Sequence, residues 1–139
     1  MVTTKEEQAA EAEPYLWNYR ALKDSFSNYD GDTLRCSIDL GFEQWFVMKH
    51  QSMRLYGVNA PELRKPTYDA GKAAKDALAS AIQAVPGDWV WLRTIQDRTG
   101  KYGRWLVILF DNPLSVKFYE SINEKLLEDP NLGYTAMFY

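Results

Sequence analysis

The sequence predicts a mainly β fold with two added helices, and three features carry that prediction. Leu34, Cys36, Ile38 and Leu40 alternate with polar or small residues, the period of a strand with one buried face. Two runs rich in β-branched and aromatic residues, "DWVWLRTIQ" at 88–96 and "RWLVILF" at 104–110, read as further strands. Between these regions the period changes: Ala70, Ala73, Ala74, Ala77, Leu78, Ala81, Ile82 and Val85 recur at three-and-four spacing, which is an amphipathic helix. Five strands, with one helix after the third and another after the fifth, suit a small barrel flanked by helices. The same periodicities fit an open α+β sheet.

Taken in order, residues 1–13 are polar and Glu/Ala-rich and read as a flexible arm, leaving 14–139 as one domain. "YLWNYRALKDSF" suits a first strand ending near Phe26, and "NYDGD" is a turn signal. The alternating second strand stops at Gly41, and "QWFVMKHQSMRLYG" supplies a long or bent third strand closing at Gly57. Thr67 or Asp69 is placed to cap the helix, and Pro86-Gly87 stops it. "DRTGKYG" is a polar turn between strands four and five. Asn112 and Pro113 stand in capping order before a second helix carrying Phe118, Ile122 and Leu126 at four-residue spacing. The aromatic tail "NLGYTAMFY" is costly to leave in water and is expected to pack.

A chain of 139 residues can bury a core without disulfides or a structural metal, and 46% hydrophobic content is far from a disordered composition. One cysteine and one histidine, Cys36 and His50, exclude an internal disulfide and a Cys/His zinc cluster. The net charge of −3 gives no global attraction to nucleic acid or to an anionic membrane, so a polyanion would need a local positive site. No run of the sequence approaches a membrane span, and the first residues lack the basic and apolar regions of a secretory signal. A cytoplasmic or other intracellular location without membrane contact is the expectation.

The chemistry-bearing residues fall in three short stretches. Splitting a phosphodiester needs cationic groups or a metal against charge on the nonbridging oxygens, and a group that aims or deprotonates water. Asp32 in "DGDT" can give a hard oxygen to a divalent cation. Arg54 and Arg104 can each grip phosphate oxygens through a planar donor fork. Glu62 follows Pro61, whose ring stiffens the loop that holds the carboxylate. Each piece alone has a plain reading: Asp30-Gly31-Asp32 as a hairpin turn, Arg54 as a surface residue, Glu62 as a solvated one.

In combination and in order, "DGDT" at 30–33, "RLYGVNAPE" at 54–62, "KYGR" at 101–104 and "SINEKLLED" at 121–129 resemble the staphylococcal (thermo)nuclease family over roughly residues 15–135. The resemblance implies an OB-fold-like five-stranded barrel with flanking helices. It implies a Ca2+-dependent endonuclease, with Mg2+ or Mn2+ as substitutes, that hydrolyses DNA, RNA or both with low sequence specificity and leaves 3′-phosphate ends. By the same resemblance Asp32, Asn59 and the carbonyl of Ala60 would hold the metal. Arg54 and Arg104 would clamp phosphate, Glu62 would orient or deprotonate the attacking water, and Lys101 and Tyr102 would lie beside the bound nucleotide.

Two departures qualify the match. Where the family commonly has a second metal-binding aspartate this chain has Asn59, which keeps an oxygen but removes a charge, so Ca2+ should bind more weakly. The chain also ends soon after its second helix, where well-known members carry a third, and that face is a candidate for a protein partner. The alternative function is a catalytically weak or inactive barrel that binds nucleic acid or a protein.

Overall fold

The computed structural model describes residues 15–97 and 104–137. The arm expected over 1–13 and the turn carrying Lys101 and Tyr102 lie outside the described residues.

Apolar alternation does form strands, but shorter ones than the sequence suggests. The first expected strand is reduced to β1 (Tyr19–Leu22), followed by a single 3-10 turn at Lys23–Ser25. A two-residue strand β2 (Ser27–Asn28) then leads into the acidic turn. The alternating segment 33–41 is divided at Cys36 into β3 (Thr33–Arg35) and β4 (Ser37–Gly41). The long third strand is three: β5 (Gln44–Val47), β6 (Met53–Leu55) and β7 (Gly57–Asn59). Gly57, at φ 78°, makes the bend that separates the last two.

Helix α1 (Tyr68–Gln83) and strands β8 (Trp89–Gln96) and β9 (Trp105–Phe110) follow the expected pattern closely. The second helix does not. Asn112 Oδ1 accepts from the Leu114 N–H at 2.8 Å, a local turn that spends the capping side chain early. Helix α2 therefore begins only at Ile122 and ends at Glu128, capped by Ser121, whose Oγ accepts from the Glu124 N–H at 3.1 Å. The tail packs as expected, as β10 (Thr135–Met137).

The main sheet is mixed, in the order β2-β3-β6-β9-β8-β1-β4-β5, with β6 and β9 parallel and the other pairs antiparallel. A separate antiparallel pair joins β10 to β7. Among the described residues the fold is thus mainly β with two α-helices, and its hydrogen-bonded strand order runs open from β2 to β5.

One apolar core runs through Leu34, Ile38, Met53, Leu55, Val90, Leu92, Val107 and Leu109 of the sheet. Gly71, Ala74, Leu78 and Ile82 of α1 cover it, and Ile122 and Leu126 close it from α2. Each buried Leu or Ile contributes about 1.5–3 kcal/mol relative to exposure. Small residues let α1 come close: a Cβ on Gly71 would stand 2.4 Å from the Glu62 carbonyl oxygen. Among the described residues no helix is long and apolar enough to cross a membrane.

Candidate functional site

The acidic turn between β2 and β3 is held from several sides. Asp30 Oδ1 accepts from the Asp32 N–H at 3.0 Å, an Asx turn of the kind Asp favours. Asn28 Nδ2 donates to the carbonyls of Asp30 (2.9 Å) and Lys75 (2.8 Å), so the turn is tied to α1. Tyr134, arriving from the tail, donates its hydroxyl to the Gly31 carbonyl. A side chain at Gly31 would meet Ala60 and Ala74 at 2.7 Å, so this close approach requires glycine.

Held in this way, Asp32 is directed inward and is buried. Its Oδ2 accepts from the Ala60 N–H at 2.9 Å, and its Oδ1 accepts from the Thr33 hydroxyl at 3.3 Å. Burial pushes the Asp32 carboxyl above the usual carboxylate range and Asp30 adds to that, against the opposing pull of the Ala60 N–H and Arg54.

Pairing of β3 with β6 sets Arg54 opposite Thr33, one residue from Asp32. Arg54 Nη2 lies 3.5 Å from Asp32 Oδ2, donates to Asn59 Oδ1, and sits 3.7 Å from Met137 Sδ. Its Nε is buried and, among the described residues, is the buried side-chain polar atom with no hydrogen-bond partner. Four of the residues singled out from sequence, Asp32, Arg54, Asn59 and Ala60, therefore form one connected cluster.

The other expected site residues are not bonded into that cluster or lie outside the described residues. Glu62, two residues beyond Ala60, accepts from Arg64 Nε at 2.5 Å in an exposed ion pair. It shares an open cleft of about 440 Å3 with Asn59, Ala60, Lys65 and Thr135. Arg104 is exposed and immediately precedes β9. Its carbonyl accepts from the Asp97 N–H at 2.9 Å, which carries the β8–β9 ladder one step further. The pairing of Arg54 with Leu106 puts Arg104, two residues earlier in the same strand phase, on the Arg54 side of the sheet. Lys101 and Tyr102 lie outside the described residues.

Sequence reasoning missed Met137 and Tyr134 as members of this region. The only available signal was the aromatic tail's need for burial, which does not say where the tail goes. It also missed how Asn123 is used. That side chain is fully buried, donating to the carbonyls of Tyr56 (2.9 Å) and Val107 (3.0 Å) and accepting from the Leu109 N–H (2.9 Å). Asn123 thereby fixes α2 to β9 and to the bend between β6 and β7 that presents Asn59 and Ala60.

The cluster combines a buried carboxylate, an amide oxygen and a guanidinium with a donor to spare. Such a set can bind an oxyanion through Arg54 and can offer hard oxygens to a cation. No family model and no curated protein matches this chain.

Proposed function

We propose that this protein is a metal-dependent nuclease that hydrolyses phosphodiesters of DNA, RNA or both, with low sequence specificity and 3′-phosphate products. The observation that carries this reading is the buried, unpartnered Nε of Arg54 within the Asp32–Asn59–Ala60 cluster. A buried guanidinium donor without an acceptor costs free energy in the free protein, and a phosphate oxygen would relieve that cost.

The donor types suit a hard divalent cation, which would take Asn59 Oδ1 over from Arg54 and share Asp32 with the Ala60 N–H. Asp32 brings carboxylate oxygens, Asn59 an amide oxygen and the Ala60 backbone a carbonyl, all oxygen ligands of the kind Ca2+ accepts, with Mg2+ or Mn2+ as substitutes. When bound, the cation would supply positive charge to the nonbridging oxygens of the substrate.

The protein's own residues would do the rest. Arg54 and Arg104 donate to phosphate oxygens and offset the charge that grows there. Glu62 leaves its exposed pair with Arg64, a kind of interaction that holds weakly in water, and aims or deprotonates the attacking water. Contacts to phosphate and sugar carry no sequence code, so low specificity follows.

On the same reading the sheet, open in its strand order, would belong to a barrel of the OB-fold type. Strands β3 and β4 are separated by Cys36 alone, yet β3 pairs with β6 and β4 pairs with β1. The one segment 33–41 thus pairs with both β6 and β1, an arrangement that supports five-stranded closure.

A second reading, a barrel that binds nucleic acid or protein without cutting, is favoured by the internal pairing of Arg54 with Asn59 and of Glu62 with Arg64. Release of acid-soluble nucleotides from denatured DNA and from RNA separates the two. It is run with Ca2+, Mg2+, Mn2+ or chelator, beside Arg54→Ala, Arg104→Ala and Glu62→Ala. The nuclease reading expects metal-dependent release that falls about 100-fold or more in the arginine variants. Full activity in chelator, or in both arginine variants, overturns it, and no release under any condition transfers the assignment to the binding barrel.

A further inference from the structure

Strand pairing at the β2 end of the sheet sets a second group of side chains beside the Arg54 cluster. Thr33 faces Arg54 across β3 and β6, and the Tyr29 N–H donates to the Thr33 carbonyl at 2.9 Å, carrying the β2–β3 ladder one step past Asn28. Tyr29, Thr33 and Arg54 therefore form one row across the sheet. Two residues along β3, Arg35 pairs with Ser27, and the β3–β6 register carried on by one residue brings Ser52 opposite Arg35. Side chains alternate along a strand, so both rows share one face, and Leu34 and Met53 between them turn into the core. Arg104, two residues before Leu106, the partner of Arg54, joins the same face.

The rows border an open cleft of about 410 Å3, lined by Ser27, Asn28, Tyr29, Thr33, Arg35 and Ser52. Among the described residues Arg35 is the one charged group on its wall, so the cleft is locally positive in a chain of net charge −3. Arg35 Nη1 donates to the Lys49 carbonyl at 2.8 Å, which steadies the guanidinium and uses one of its five N–H groups. Tyr29 is 75% exposed, while its backbone is held in the ladder. Thr33 joins the cleft to the cluster, because its hydroxyl donates to Asp32 Oδ1.

We propose that this cleft is a second nucleotide subsite, which takes a phosphate of single-stranded DNA or RNA on Arg35 and stacks a neighbouring base on Tyr29. A guanidinium beside an exposed aromatic ring suits a single strand: the cation meets the backbone and the ring meets any base. Ser27 and Ser52 add hydroxyls that can bond phosphate or sugar oxygens. A strand whose scissile phosphate lies on Arg54 and Arg104 continues across the same face onto Arg35. That continuity rests on the nuclease reading, whereas binding in the cleft does not need cleavage. The cleft also supplies the local positive site that a chain of this net charge needs to hold a polyanion.

Fluorescence anisotropy of a 5′-labelled octathymidylate tests the proposal on the full chain in chelator, where binding is read apart from metal-dependent hydrolysis. Arg35→Ala should weaken binding about fivefold or more and reduce the slope of log affinity against log salt by about 0.7, the share of one phosphate on a single strand. Tyr29→Ala should also weaken it about fivefold or more, but with the salt slope unchanged, because stacking on the ring releases no counterion. Both positions are exposed, so the variants keep the fold, with thermal melting as the check. An Arg35→Ala chain with native affinity and salt slope overturns the proposal. So does a Tyr29→Ala chain that binds as the native one does, or a native chain that does not bind the octamer at low salt. The two readings fail separately. Absence of nucleotide release alongside an intact Arg35 effect on binding removes the cleavage and keeps the subsite, whereas release alongside native binding in both variants keeps the nuclease and removes the subsite.

Discussion

Asn123 and Arg54 are both polar side chains held beneath the surface, and the fold treats them in opposite ways. Asn123 spends both amide hydrogens and its oxygen on three backbone groups, so it is satisfied by the chain alone. Arg54 crowds its contacts onto one nitrogen, Nη2, and leaves Nε buried without an acceptor. The carboxylate beside it, Asp32, is held in a place where burial works against its charge. Complete satisfaction marks a part of the scaffold, whereas an open hydrogen-bond account beside a strained charge marks a place arranged for something that arrives later. Stability and activity should therefore respond in opposite senses at the two locations.

The largest effect on stability is expected at the satisfied end. Asn123→Ala leaves the Leu109 N–H without its acceptor in the interior and takes one donor each from the Tyr56 and Val107 carbonyls, the latter keeping the Tyr56 N–H at 2.9 Å, at a cost of about 2–3 kcal/mol. That is a large share of the roughly 5–15 kcal/mol available to a domain. Urea unfolding followed by circular dichroism measures it. A loss under about 1 kcal/mol would break the comparison by showing that solvent reaches these groups readily.

Gly71→Ala probes the connection between scaffold and site. Its new Cβ would stand 2.4 Å from the Glu62 carbonyl oxygen and 2.9 Å from the Leu63 nitrogen, both backbone atoms. Either the loop moves or α1 does, and overpacking of this kind costs about 1–3 kcal/mol. The same unfolding measurement applies. An unchanged midpoint would mean that the loop of Glu62 yields freely, which would remove the reason for a glycine there.

These contrasts also show what sequence could and could not reveal. The stripe of α1, the strands β8 and β9, and the alternation from Leu34 to Leu40 were legible, because each is a local period imposed by one buried face. Asp32, Arg54, Asn59 and Ala60 were legible as a set through the ordered motifs that hold them. Other features depend on partners distant in the chain. Alternation through Cys36 does not say that its two halves pair with different strands. The β-rich run after Gly41 does not announce a break at 48–52 or the turn at Tyr56. Asn112 and Pro113 looked like a helix start because the cap and turn uses of Asn carry the same local signature. The exposed pairing of Glu62 with Arg64, the return of Met137 to Arg54 and the three bonds of Asn123 are side-chain choices that composition leaves open.

At the unsatisfied end the expected sign reverses. Asp32→Asn keeps an oxygen for the Ala60 N–H and offers an amide donor to the Thr33 hydroxyl, while removing a charge that burial disfavours. The variant is expected to be more stable than the native chain at pH 7. Because burial raises the folded-state pKa of Asp32, its neutral form is the one the fold accommodates. Its contribution is thus fully present below the ordinary value near 3.9 and is lost as pH rises through the raised value. The gain from asparagine should accordingly vanish in acid. Melting temperatures at neutral pH and near pH 3.5 test this, and a variant that melts below the native chain at pH 7 would show Arg54 to dominate over burial.

The smallest effect concerns Cys36, the residue between β3 and β4. Burial pushes its thiol up to about 12, whereas an unfolded cysteine titrates near 8.5. The stability tied to the neutral thiol is complete below the unfolded value and declines as pH rises toward the folded one. The loss should be just under about 1 kcal/mol at pH 9. Replacing Cys36 with alanine adds a small cavity penalty at every pH, so the informative quantity is the slope between about pH 7 and 10, which should flatten in Cys36→Ala. Alkylation by iodoacetamide gives the kinetic counterpart, because a buried neutral thiol reacts only when the segment opens. Reaction as slow as global unfolding would show that 33–41 holds both sides of the sheet as one unit. Rapid reaction in the folded protein would show that β3 and β4 separate at Cys36 and that the two sides of the sheet move independently.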